Sequence, residues 1–268
     1  MAELKGPILF TGSIGNIRAY YDKALKRYVL SNKGGASKNL IKKSPKLARQ
    51  RENMNEFKGC SKWTSHLRRA LDAIGHLHNG YYFSTILAMG KFIQKQDDVG
   101  EKGFRSIISS KFSKFLMSLS FNYLHPFDQV LSPPYEVLFS EDKTTVSLKL
   151  LGFKSFTRIH WPEQYESYRI SLLIAQQPDF VWNAKDKEYQ PIIKGLVKAS
   201  EISQSEWHPR SQEPDDIILS ASFAQPALQQ PGTIVIVAIG VEVSAYPLSG
   251  TTLSTVGIGT MKIVECYV

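Results

Sequence analysis

The sequence predicts an α+β chain in which an N-terminal β-meander and a basic helical module precede an antiparallel β-sandwich. Three observations predict it. Charge is unevenly placed: residues 1–120 hold 22 Lys/Arg against 8 Asp/Glu, and residues 121–268 hold 11 against 16. Helical periodicity is confined to the first stretch. Beyond about Leu119 the signals are β throughout, in short segments separated by Pro, Gly, Asp and Ser clusters. A boundary at 120/121 follows, dividing a basic module 1–120 from an acidic sandwich 121–268. With 268 residues, 43% of them hydrophobic, the chain can fill one or two cores.

Residues 7–33 read as three strands, Pro7–Thr11, Ile14–Asp22 and Lys26–Lys33. They are rich in Ile, Val and Tyr and are broken by Gly12 and by the Asp22-Lys23-Ala24-Leu25 turn. Gly34-Gly35 ends the sheet, because paired glycines cost entropy inside a strand and are cheap in turns. Ser44-Pro45 is a helix start, a serine cap followed by proline at the first helical position. Leu47, Met54, Phe57, Cys60, Thr64, Leu67, Leu71 and Ile74 follow at steps of 7, 3, 3, 4, 3, 4 and 3, one apolar seam on an amphipathic helix. Gly75–Gly80 breaks it. A second helix is predicted over Tyr81–Gln96 and a third over Phe104–Met117.

The sandwich strands are predicted at Tyr135–Phe139, Thr144–Leu151, Phe156–His160, Tyr168–Ala175, Phe180–Asn183, Ile217–Phe223, Thr233–Ala245 and Gly259–Tyr267. The acidic, proline-containing stretch 203–216 reads as a surface loop. The longest apolar run, Thr233–Val241, is less than half of the roughly 20 residues a membrane helix needs. Cys60 and Cys266 form no CxxC pair, no disulfide framework and no zinc spacing, and the N-terminus is not a secretory signal. A soluble cytoplasmic protein without a membrane partner is expected.

Residues 32–53 concentrate positive charge, and the pattern continues along the helix. Arg51, Lys58, Lys62 and Arg69 fall at steps of 7, 4 and 7, within a narrow sector at about 100° per residue. Asn55 and Ser65 fill the gaps in that sector, and no carboxylate does. The stripe is about 27 Å long at about 1.5 Å per residue. Lys38, Lys42 and Lys43 extend it beyond the helix start. Separated cations free of acids suit a phosphate backbone, RNA or DNA, bound with salt-sensitive affinity. A solvated helix face and an acidic protein partner, another copy of the chain included, are the competing explanations. Tyr20, Tyr21, Tyr28 and Trp63 are the aromatics that could stack on bases. Alternation allows at most one of Tyr20 and Tyr21 to share a face with Tyr28.

No catalytic motif stands out. His76-Leu-His78 lacks a third metal ligand in sequence. Ser140-Glu-Asp-Lys143 has S-x-x-K spacing in a hairpin turn. Gly257-Ile-Gly259 lacks the following helix of a phosphate loop. Nothing marks Glu163 and Glu166 as a raised-pKa pair. No cofactor, metal or enzymatic activity is expected.

Gly12-x-Ile14-Gly15-x-Ile17, the tyrosines after it, Lys33-Gly34-Gly35, and Arg51-Glu52-Asn53 with Glu56-Phe57 form a pattern over about the first 75 residues. It resembles that of an uncharacterised Bacteroidota protein family of similar length. Ser31 stands where that pattern carries an arginine. The resemblance implies no activity, and it marks residues 51–57 as a conformational signature.

These observations together predict a non-enzymatic assembly protein, homo-oligomeric, filamentous or capsid-like, with its basic stripe facing nucleic acid or a partner. The alternative is a small-oligomer binding module whose β-sandwich takes a glycan or small ligand on Trp161, Trp182 or Trp207.

Overall fold

The computed structural model describes residues 2–3, 6, 9–22, 26–32, 34–78, 82–132, 134–142, 144–193, 200–211, 216–223, 231–248 and 258–268, with backbone alone at Ser118, Ser155 and Phe156. Among the predicted features, Pro7 and Ile8, Lys23–Leu25, Lys33, Asn79–Tyr81, Lys143, 212–215 and Gly257 lie outside the described residues. The protein is α+β, with antiparallel sheets and one long helix. It forms two compact units, residues 1–51 and 52–268.

The first unit is an antiparallel sheet of β1 (Ala2–Glu3), β2 (Gly12–Ile14), β3 (Ile17–Asp22) and β4 (Arg27–Asn32), in the order β1-β4-β3-β2. The strand predicted as one piece over Ile14–Asp22 is two. Gly15, at φ +57°, turns the chain so that Ile14 pairs with Ile17. Leu9–Thr11 is not a strand. A short helix absent from the prediction, α1 (Lys38–Lys43), starts at Ser37, whose Oγ accepts from Leu40 N at 3.3 Å. Ser44-Pro45 then opens a 3-10 turn, Pro45–Leu47, that leads into α2 (Ala48–Ala70). Ala19 and Val29 are the buried hydrophobic residues of this unit among those described.

The second unit contains α2 from Glu52 onward, a 3-10 turn at Asp72–Leu77, α3 (Tyr82–Lys95), a 3-10 turn at Ser113–Ser118, and α4 (Phe127–Val130). The strands β5 (Glu136–Phe139) and β6 (Thr145–Leu151) precede α5 (Ser155–Arg158). Then come β7 (Ser167–Pro178), β8 (Phe180–Asn183), β9 (Glu188–Pro191), β10 (Ser200–Gln204), β11 (His208–Pro209), β12 (Asp216–Ser222), β13 (Thr233–Ser244) and β14 (Ile258–Tyr267). The main sheet runs β10-β7-β13-β14, with β11 also on β7. A second sheet runs β12-β6-β5, and β8 and β9 form a hairpin.

Alternation along β7 and β13 explains the three layers. Leu173, Ala175, Ile234, Ile236 and Ala238 join the helices' Trp63, Leu67, Ile74 and Ile86 in one core. Leu172, Ile174, Val237 and Ile239 join Val146, Leu148 and Leu219 of the second sheet in another. A strand packed on both faces reads as a continuous apolar run, which is the character of Thr233–Val241.

The compact units divide after Arg51, and the helices from Glu52 on share a core with the main sheet. Several predicted elements differ. Phe104–Met117 is no α-helix. Ile107 and Phe180 exchange backbone hydrogen bonds of 2.8 and 3.0 Å, and Asp179 accepts from Ser110 N and the Ser109 hydroxyl, so this segment spends its donors on tertiary partners. Phe156–His160, predicted as a strand, contains the end of α5, with Ile159 bridging Leu131. The predicted loop 203–216 contains the end of β10, then β11 and the start of β12.

The seam of α2 is also rotated at its N-terminal end. Met54 and Phe57 are 48% and 46% exposed, while Glu56, Gly59 and Trp63 are buried. The Glu56 carboxylate accepts two hydrogen bonds of 2.7 Å from the Arg105 guanidinium and one of 2.8 Å from Gly103 N. A Cβ on Gly59 would stand 2.8 Å from the Tyr189 ring. A carboxylate and a missing side chain therefore occupy the buried line, and the apolar residues beside them face water.

Candidate functional site

The structure separates the seven predicted cations into two groups. Arg51 is occupied: its Nη1 donates to Ile41 O at 2.8 Å and Ser44 O at 2.7 Å, satisfying carbonyls at the end of α1. Lys62 is occupied too, its Nζ 2.6 Å from Glu188 Oε2 and 3.1 Å from Tyr189 O. Lys38, Lys42, Lys43, Lys58 and Arg69 are exposed, and none has a hydrogen bond or ion pair among the described residues.

Positive charge is densest in the first unit. Residues 1–51 hold 12 Lys/Arg against 2 Asp/Glu, a net +10, and the rest hold 21 against 22, a net −1. The second unit is close to neutral as a whole. The sheet of the first unit also shows aromatics. Tyr21 and Tyr28 are directly paired across β3 and β4 and meet edge-on, with ring centroids 5.2 Å apart. Tyr21 is exposed and Tyr28 half-buried. Tyr20, on the opposite face, lies under the Arg18 guanidinium at 5.5 Å. Trp63 is fully buried, its Nε1 donating to Ser109 Oγ, and is no stacking platform.

A cleft of about 500 Å³ opens on the second unit between α2 and the β8–β9 hairpin. Ser61, Lys62, Ser65, His66 and Arg69 line the helix side, on turns one above another. Phe180, Glu188, Tyr189, Gln190 and Pro191 line the hairpin side. The Lys62–Glu188 pair joins the two walls. His66 is 8% exposed, sits edge-on to Phe180 with ring centroids 5.8 Å apart, and shares a 2.9 Å hydrogen bond between Nδ1 and Gln177 Oε1. Burial lowers the basicity of this imidazole, the Gln177 bond opposes that, and the charge of Arg69 adds to the lowering.

Sequence reasoning found Lys62 and Arg69 and missed the rest of the cleft. His66 shares the helix flank at helical spacing, which was a readable signal. The opposing wall depends on β8 pairing with β9, and the polar Ala-Lys-Asp-Lys turn between Phe180–Asn183 and Glu188–Pro191 was its only local sign.

The tryptophans proposed as ligand platforms need correction. Trp207 and Trp161 are 1% and 9% exposed, and the half-buried Trp182 lies between the rings of Phe104 and Tyr189. Large rings of a two-core fold are absorbed by its packing. His76 Nε2 is 3.5 Å from Glu242 Oε1, and His78 Nδ1 bonds to Gly75 O. No group of three metal-ligating side chains gathers among the described residues. Ser140 Oγ donates to Asp142 Oδ1 within its turn, and Glu163 and Glu166 are exposed. Both cysteines are free and buried; burial pushes the Cys60 thiol up to about 12 and the Cys266 thiol higher still. No helix among the described residues is long and apolar enough to cross a membrane.

No family model matches the chain, and no curated protein or solved structure is similar to it.

Proposed function

We propose that this chain is a non-enzymatic assembly protein that self-associates into a large particle, with its basic N-terminal unit meeting nucleic-acid phosphates. The observation that carries this is the net +10 held by 51 residues, beside a second unit at −1. Lys38, Lys42 and Lys43 sit together on a short helix that buries none of its residues. Arg51 ties down the carbonyls at the end of that helix, which gives it a positioning role and leaves phosphate contact to the lysines. Ammonium groups of this kind track a backbone without reading sequence, and exposed Tyr21 adds a stacking face.

Self-association rests on the same unit. Ile14 and Ile17 are 66% and 46% exposed on a sheet with little interior. Its edge strand β2 pairs with β3 alone among the described strands, and such an edge accepts a further strand.

The test is titration of a labelled single-stranded RNA with the full chain over a range of salt, beside size-exclusion chromatography with nucleic-acid and protein absorbance read together. Affinity should fall steeply with salt. Lys38→Glu, Lys42→Glu and Lys43→Glu in one variant should lower the slope of log affinity against log salt by about 2, from about 0.7 per lost contact. Nucleic acid should leave a large-particle peak in that variant. Unchanged slope and particle composition would overturn the proposal.

A further inference from the structure

Arg69 and His66 line the same cleft from adjacent turns of α2. Arg69 is an exposed cation with no partner among the described residues, and its charge bears on the His66 ring. His66 is more than nine-tenths buried, yet it lines the cleft. Its protonation pattern follows from the Gln177 amide. Gln177 Nε2 donates to Pro178 O at 3.4 Å, so Oε1 is the accepting end, and His66 Nδ1 carries the proton in their bond. That leaves Nε2, with its lone pair, as the nitrogen available to the cleft.

The remaining walls divide cleanly. Phe180 and Pro191 supply apolar surface. Lys62 is held by Glu188 and Tyr189 O, so it closes one side as a neutralised pair. Ser65 Oγ donates to Ser61 O at 2.8 Å and keeps its lone pairs for another donor. The volume, about 500 Å³, lies within the usual range for small-molecule sites, about 300–1,000 Å³.

We propose that this cleft binds a small organic anion, a carboxylate or phosphate monoester of up to nucleotide size. Arg69 pairs with the anionic group, His66 Nε2 accepts a hydroxyl or N–H of the ligand, and the ligand's apolar body lies on Phe180 and Pro191. The guanidinium fork suits either oxyanion, since both present two oxygens to it. The site is separate from the basic N-terminal unit and does not depend on the polyanion reading.

Isothermal titration of the full chain distinguishes the two anion classes. Adenosine monophosphate is the phosphate probe and 3-hydroxybenzoate the carboxylate probe, with adenosine and phenol as uncharged counterparts. At least one charged probe should bind with Kd below about 1 mM, and its uncharged counterpart at least about tenfold more weakly. Arg69→Ala, at an exposed position, should lose about tenfold or more of that affinity. His66→Phe should lose affinity in a still-folded protein whose melting temperature also falls, because the change strands Gln177 Oε1. The Lys38/Lys42/Lys43→Glu variant should bind as the parent does, which separates this site from non-specific attraction to the N-terminal unit. No charged probe binding below about 1 mM, or unchanged binding in Arg69→Ala, would overturn the proposal.

Discussion

The two units of this protein solve opposite problems with the same chemistry. Residues 52–268 surround each face of the main sheet with a core and hold their buried carboxylates in ion pairs, Glu56 with Arg105 and Glu242 with Arg169. Residues 1–51 carry a net +10 around a sheet whose buried apolar residues, among those described, are Ala19 and Val29. A unit with so little interior cannot offset much self-repulsion, and an anionic partner lowers that repulsion. The contrast lies in what each unit has to stabilise it: two apolar cores in the second, and in the first a dense positive charge with few buried apolar residues among those described.

The strongest way to break this comparison is to remove a buried charge from the second unit. Glu56 is 5% exposed and held bidentately by Arg105. Arg105→Met should cost about 3–5 kcal/mol in denaturant unfolding, because it strands the carboxylate. Adding Glu56→Gln should recover part of the loss. A loss under about 1 kcal/mol would show the pair to be a surface-like contact.

A matched pair of apolar truncations sharpens the contrast. Ile174→Ala in β7, at a fully buried site, should cost about 2–5 kcal/mol. Ile17→Ala in β3, 46% exposed, should change global stability by no more than about 0.5 kcal/mol. Its effect should appear in particle size on chromatography. Equal costs at both positions would mean that the first unit has an interior of its own.

The smallest expected effect is on acid stability. Glu242 is 1% exposed on β13, with Arg169 nitrogens at 2.6 and 3.2 Å. Burial by itself raises its carboxyl, and His76 and Arg169 together outweigh that and hold it below the usual range. The folded value then lies below the unfolded value of about 4.3. This stabilisation is complete above the unfolded value and is lost as pH falls through it towards the folded one. Melting temperature should therefore begin to fall below about pH 4.3, with a shallower acid slope in Glu242→Gln. Identical slopes in the two proteins would remove Glu242 from the acid response.

Much of the fold was legible wherever the signal was local and long. The apolar run Thr233–Val241 is a central strand, Tyr81–Gln96 matches α3, and Ser44-Pro45 marks the entry to α2. Legibility failed where tertiary partners outbid local preference. Phe104–Met117 has helical spacing, but its serine donors and Ile107 go to Asp179 and Phe180. Met54 and Phe57 look like seam residues until Glu56 and Gly59 are seen to hold the buried line. The candidate cleft was half visible, through Lys62 and Arg69, because helix periodicity aligns residues along one element only.

By itself, the sequence determined the fold class, the long helix and the concentration of positive charge near the N-terminus, because these depend on residue type and short spacing. Tertiary structure decided which of the predicted cations are engaged. Arg51 turns to carbonyls ten and seven residues back and Lys62 to Glu188 on a distant hairpin, whereas Lys38, Lys42, Lys43, Lys58 and Arg69 meet no such partner among the described residues. A charge's availability depends on what stands within hydrogen-bond reach, and for Lys62 that is set by residues more than a hundred positions away.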